Sequence, residues 1–303
     1  MKKTLYDYKE TIKKLPIKEK YERSELLIDD LLIERNGNIE IYYASHNEYI
    51  NSKAKIFIIG ITPGFQQMST AIATARKELE LETDIEEIQY KCKVAGRFSG
   101  SLRKNVISML DYIKLNEALD ISSCSDLFED KDYLLHTISL IPYPVFVKKQ
   151  NYSGHTPRLL KSDFLMKYVY DNFINELKSI EKFKDILLIP LGKAVEEVLL
   201  KLSKEGFICE KQILRGFPHP SGANVNRVNQ LEENKESLIK QIKENIGLKN
   251  KYYFWNIRHV DFNFRMKFSK VHRNEEYTKN MVVGAFLLYC WNLLFTWFYD
   301  IPP

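Results

Sequence analysis

The feature that most narrows the fold is a recurring kind of apolar run. KIFIIG, at residues 55–60, is short, rich in β-branched residues and stops at a glycine. No polar residue alternates with its apolar core, so it reads as a strand buried on both faces, as in a parallel sheet. Runs at 134–141, 186–191 and 213–217 repeat the character. Between them lie segments of helical spacing: 102–113, with Val106, Met109, Leu110 and Ile113 on one side, then 164–180 and 194–202. Strands alternating with helices predict an α/β fold, a three-layer α/β/α arrangement around a mostly parallel central sheet of about four strands. Residues 232–246 read as a closing helix whose apolar face is Leu238, Ile239, Ile242 and Ile246.

Ahead of the first run, Leu26, Leu27, Leu31 and Leu32 fall at near-helical spacing. They predict a helix over 21–33, ended by the turn Asn36-Gly37-Asn38, with a short strand at 39–43. The 303 residues, 45% of them hydrophobic, suffice for one large domain with an appendage. The alternating pattern is complete near Asn250. We therefore expect a domain over 1–250, a basic linker over 251–280 and an apolar segment at 281–299.

From Lys249 onward eight basic residues stand against four acidic ones, so a net charge of +5 leaves only about +1 for the body. If the body binds DNA, it does so through a local basic patch and not through its overall charge. Residues 281–299 form an apolar run long enough to cross a bilayer core, with Asn292 its one strongly polar member. Basic residues before it suit a tail anchor that holds the domain at the inner face of a membrane. The competing readings are a helix folded back on the domain and an extension without a role. MKKTLYDYKETIKKL, at the amino terminus, has no apolar run after its basic residues, which predicts a cytoplasmic protein. A monomer is expected.

Cys92, Cys124, Cys209 and Cys290 lie far apart with no C-x-x-C pair, so neither a zinc nor an iron-sulfur site has its usual spacing. No metal or other cofactor is expected. The chain also lacks G-x-x-x-x-G-K-[ST] and G-x-G-x-x-G, so both common phosphate-cradling loops are missing.

Ligands of open α/β sheets gather where loops leave the carboxyl ends of strands. Two loops qualify. GITPGFQQ, residues 60–67, follows the first buried run and joins two glycines to a proline, a tight turn whose backbone approaches a ligand closely. GFPHPSGANVNR, residues 216–227, follows the last and holds His219 between prolines, a stiff, aimed donor. Residues 96–105 open a helix with glycines, serines and three cations. That is a natural seat for a backbone phosphate, and it predicts exposed Arg97, Ser101, Arg103 and Lys104 as DNA contacts.

Together, Gly60-Ile61-Thr62-Pro63-Gly64 and His219-Pro220-Ser221-Gly222 resemble the two signature motifs of the uracil-DNA glycosylase superfamily, an early G-x-x-P-G turn and a late H-P-S loop. Intervening pieces resemble it in the same order: Leu134 to Ser139 as the strand that contacts the base edge, then Pro142-Tyr143-Pro144 and Asn151, then Ile189 to Ala194. Asn224 and Asn226 suit the branch whose late loop reads H-P-S-x-x-N. The resemblance covers about residues 50–245.

It implies a monofunctional DNA glycosylase acting on a base flipped out of the stack. His219 would donate a hydrogen bond to the base, amides near Gly60 and Ile61 would assist, and Phe65 would stack on the ring. Thr62 would hold the attacking water. Ser139 or His136 would touch the base edge, while Asn151, Ser221 and Asn224 would shape the pocket. Where many members carry Asp, Asn or Glu in the first motif, this chain has Ile61 and Thr62, which resembles a divergent branch without that acidic residue. Three functions follow: excision of uracil or another altered base in DNA repair, excision of bulky modified cytosines in antiviral defence, and a catalytically silent nucleic-acid binding module. Lysine-dependent lyase chemistry is disfavoured, because Lys193 is the sole lysine near a motif and begins a helix.

Overall fold

A computed structural model describes residues 3–98, 100–180 and 183–247. The strands are β1 (Leu32–Asn36), β2 (Ile39–Tyr42), β3 (Ile56–Gly60), β4 (Leu135–Ser139), β5 (Val145–Val147), β6 (Gln150–Asn151) and β7 (Leu187–Pro190). They form two sheets. One is parallel, in the order β4-β3-β7, and the other is antiparallel, in the order β1-β2-β5-β6.

The parallel sheet holds the apolar runs in register, with Ile58 opposite Thr137 on one side and Ile189 on the other. Ile56, Phe57, Ile58 and Ile59 are all fully buried, as expected for a central strand covered on both faces. Phe57 and Ile59 join one core cluster; Ile56 and Ile58 join another. Each such side chain contributes roughly 1.5–3 kcal/mol relative to exposure.

Helices supply both cores. Helix Phe65–Glu80 sends Met68, Ala71, Ile72, Ala75 and Leu79 into the first. Helix Gly100–Tyr112 gives Val106, Met109 and Leu110 to the second, and helix Arg227–Ile242 adds Leu231, Leu238, Ile239 and Ile242. Lys193–Lys204 packs Val195, Val198, Leu199 and Leu202 on the first cluster. Helical turns Asp163–Tyr168, Val169–Ile174 and Asn175–Lys178 follow one another with a π-type middle section.

Two expectations are corrected. The parallel sheet has three strands instead of four, because the run at 213–217 makes only a bridge, Ile213 to Leu188. After Leu214 donates to Leu188 O at 2.8 Å, the chain turns at Gly216 (φ +90°), and Pro218 has no N–H to continue a ladder.

The expected helix over 21–33 is the short helix Arg23–Leu26, a 3-10 turn Asp29–Leu31 and the start of β1. Asn36-Gly37-Asn38 is a hairpin turn, with Gly37 in the left-handed region, and not a helix stop. β1 therefore pairs with β2, whose other edge takes β5, so a four-stranded antiparallel sheet stands where the sequence suggests a helix.

Among the described residues no helix is long and apolar enough to cross a membrane. The apolar run at 281–299 and the basic linker at 251–280 lie outside the described residues.

Candidate active site

A cavity of about 770 Å³ opens where the parallel strands end. Its wall is made by residues 60–62 after β3, 137–139 at the end of β4, 191–194 after β7, and the loop carrying Gly216, His219, Ser221 and Asn224. Both motif loops therefore face one space, at the strand ends where an open α/β sheet presents its ligands.

His219 is the most constrained polar group there. Its Nδ1 accepts the backbone N–H of Ser221 at 3.1 Å. That contact puts the hydrogen of the neutral ring on Nε2 and makes Nε2 the donor. The loop is braced on two sides: Asn224 Nδ2 donates to His219 O at 3.2 Å, and Asn105 Nδ2 donates to Pro220 O at 2.8 Å. The ring lines an open cavity, so solvent reaches it, yet protein packs around its other sides. Burial lowers its pKa below the ordinary histidine value, and the nearby His155 lowers it further. Both effects favour the neutral ring.

The other expected residues divide. Gly60, Ile61, Thr62, Ser139, Asn151, Ser221 and Asn224 all line the cavity. Gly60 and Ser139 are register partners at the ends of β3 and β4, and the Ser139 side chain is nearly buried. Ser221 Oγ accepts Ala223 N at 3.2 Å, a turn that fixes the loop.

Thr62 is committed elsewhere than expected. Its hydroxyl donates to Tyr143 O at 2.6 Å and accepts Val145 N at 3.0 Å, so it ties the end of β3 to the start of β5 and has its one hydrogen committed to backbone. Pro63, Gly64 and Phe65 do not line the cavity. Gly64 N donates to Gln67 Oε1 at 3.1 Å, Phe65 N donates to Asn151 Oδ1 at 3.1 Å, and the chain turns away into a helix. The Phe65 ring packs edge-on to Phe146 with the Arg23 guanidinium 4.7 Å from its centre, which corrects its expected role as a stacking platform. Asn151 Oδ1 also accepts from Arg23 at 3.2 Å. His136 is separated from the cavity: its Nε2 lies 2.9 Å from Glu176 Oε1 in the core.

The expected phosphate seat is corrected in part. Ser101 and Lys104 are exposed, but Arg97 and Arg103 are not. Arg97 is 7% exposed, donates to Phe128 O at 2.9 Å and lies 3.5 Å from Asp132. Arg103 donates to Phe98 O and to Arg97 O, closing the turn that precedes its own helix. The sequence showed three cations but not the carbonyls that consume two of them.

Of the further lining residues, His46, Asn47 and Glu196 carry no sequence signal, while Arg97 reads as a DNA contact and Lys193 as a lysine beside a motif. His46, Asn47, Arg97, Glu196 and Lys193 all line the cavity. Glu196 is its carboxylate, and it accepts Gly216 N at 2.7 Å. Beside the late motif, Val225 on the loop is 81% exposed and Val228, in the first turn of helix Arg227–Ile242, is 66% exposed. That signal was legible, since apolar residues directly after a polar ligand loop are out of pattern. Among the described residues no group of three His, Cys, Asp or Glu side chains gathers as a metal site.

No family model matches the chain. Among solved structures, wild-type SMUG2 of Pedobacter heparinus is similar with a TM-score of 0.35 and 16% identity, over 68% of this chain and 80% of that one. Among curated proteins, the uncharacterized protein YoxB of Bacillus subtilis (strain 168) is 42% identical over 221 residues, which are 73% of this chain and 86% of YoxB. The chain belongs to the family of YoxB.

Proposed function

We propose that the chain is a monofunctional DNA glycosylase that draws an extruded base into the cavity and cleaves its N-glycosidic bond. The observation that carries this reading is the His219 tautomer: with Nδ1 held by Ser221 N–H, a neutral Nε2–H is the donor in a cavity that the β3 turn also lines. Breaking an N-glycosidic bond leaves negative charge on the base and oxocarbenium character on the sugar. A fixed donor aimed at the departing base stabilises that charge without reorganising.

The absence of a carboxylate at residues 60–62 fits this route, because an oxocarbenium-like carbon is electrophilic enough to capture water without a strong base. Thr62, whose hydroxyl is engaged twice by backbone, acts here by shaping the turn. Exposed Lys104 and Lys193 supply cations for backbone phosphates. Val225 is suited to press between base steps as the target leaves the stack.

The test is incubation of the full chain with duplex and single-stranded oligonucleotides that each carry one altered base, uracil and bulky modified cytosines among them, followed by alkali. Strand breaks that appear with wild type and vanish with His219→Ala support the reading. DNA binding without release of any base would replace it with a silent binding module.

A further inference from the structure

The His219 loop leaves one wall of the cavity unexplained. His46 lies in the 3-10 turn Ser45–Asn47, between β2 and β3, and belongs to neither motif. The residue lines the cavity while only 2% exposed. Neither ring nitrogen has a hydrogen-bond partner within the protein.

This is an unusual state for a buried imidazole. A neutral ring always carries one N–H donor and one lone pair, and burying either unmatched costs stability. Two other histidines are matched: His136 by Glu176 and by Asn51 N, and His219 by Ser221 N. Asn47, the next residue in the turn, is spoken for. Asn47 donates from Nδ2 to Pro142 O and accepts at Oδ1 from Lys93, which also donates to Thr137 O.

The ring is held in place by packing instead. Helix Ile85–Gly96 ends against it, and a Cβ on Gly96 would lie 2.9 Å from the Cβ of His46, so the fold has made room for this side chain with a glycine. Burial and the positive charge of Lys93 lower its pKa to about 3, so the ring does not act as a cation near neutral pH. Nothing in the protein selects its tautomer. A neutral heterocycle with adjacent donor and acceptor groups on its edge meets those properties; an anion, which would call for a protonated ring, does not.

We propose that His46 is a recognition residue of the cavity, hydrogen-bonding the edge of the bound base and helping to set which base is accepted. This rests on the glycosylase reading of the same cavity and adds to it a residue outside both motifs. Because either ring nitrogen can carry the hydrogen, the residue matches a lactam edge, N–H beside C=O, or an amino edge, by changing tautomer.

The experiment uses the full chain with free uracil, thymine, cytosine and hypoxanthine as probes, by calorimetric titration, alongside base release from the oligonucleotides above. His46→Leu removes both nitrogens, and His46→Gln keeps one donor and one acceptor. The expected result is binding of the preferred base weakened about tenfold or more in His46→Leu and less in His46→Gln. The thermal midpoint of His46→Leu should be unchanged or raised, since an unmatched polar group has been removed. A purely structural histidine gives the opposite pair, a lowered midpoint with unchanged affinity per folded molecule. Should His46→Leu fail to fold, the four-base ranking of His46→Gln decides: an altered order supports the proposal and an unaltered one overturns it. Base release by wild type with affinities unchanged in both variants overturns the role of His46 alone. No binding and no release by wild type overturns the glycosylase reading together with it.

Discussion

Gly192 and His219 touch so closely that no side chain fits between them: a Cβ on Gly192 would lie 2.9 Å from the Cβ of His219. Gly192 also has φ +87°, a conformation that L side chains rarely adopt. The turn after β7 and the late loop are thus built as one piece. Gly192→Ala should destabilise the fold by about 1–3 kcal/mol and displace His219, lowering base release roughly tenfold to a hundredfold. Thermal melts and single-turnover base release check this, and wild-type values for both would show that His219 is not positioned by this contact.

The Ser221–His219 contact predicts a pH profile. Protonating His219 turns Nδ1 from an acceptor of the Ser221 N–H into a donor facing it, so acid breaks the geometry of the loop. The folded pKa is lowered, first by burial and then by His155, so the acid limb of base release should lie below the ordinary histidine value. Activity holds above that value and falls as pH drops through the folded pKa. A rate that rises on acidification through the same range would contradict the neutral-donor assignment.

His46 predicts an acid sensitivity of the fold. Burial holds its folded pKa at about 3, below the ordinary histidine value of 6.5, so between those two values the unfolded chain binds more protons than the folded one. The ring adds no pH-dependent penalty above pH 6.5, and stability is lost progressively as pH falls toward 3, on the order of a few kcal/mol in total. Urea unfolding at pH 7 and pH 4.5 should show a smaller acid loss for His46→Leu than for wild type. Equal losses would mean that other groups govern the acid limb.

The two classes of cation around the cavity should respond differently. Lys104→Ala and Lys193→Ala, both at exposed positions, should weaken DNA binding while leaving the fold intact, and each lost phosphate contact should reduce the log-log salt slope by about 0.9. Arg97→Ala removes a buried guanidinium that serves Phe128 O and Asp132, and should cost about 2–4 kcal/mol of stability. Binding isotherms at several salt concentrations, with urea melts of each variant, separate these outcomes. An unchanged slope in the lysine variants would remove them from the DNA interface.

Short-range chemistry was legible in the chain itself. β3 stands out because four consecutive apolar residues ending at a glycine leave no polar face, and the late loop because Pro218 and Pro220 stiffen the backbone around His219. The same reading failed where one local pattern serves two structures. Leu31 and Leu32 suit a helix face as well as a strand, and only the pairing of 32–36 with 39–42 settles the matter.

What the order of residues determined by itself is the alternation of buried runs with amphipathic helices, and the two loops at the ends of those runs. What the tertiary structure decided is the orientation of each loop residue: Thr62 tied to the 143–145 turn, Phe65 packed under Arg23, Arg97 and Arg103 spent on carbonyls, and His46 brought in from a turn that precedes β3. The reason is that strand and helix periods constrain neighbours a few residues apart. A hydrogen bond between Thr62 and Tyr143, or a histidine from residue 46 lining the same cavity as one from residue 219, depends on where distant backbone carbonyls and helices come to rest, and no local period encodes that.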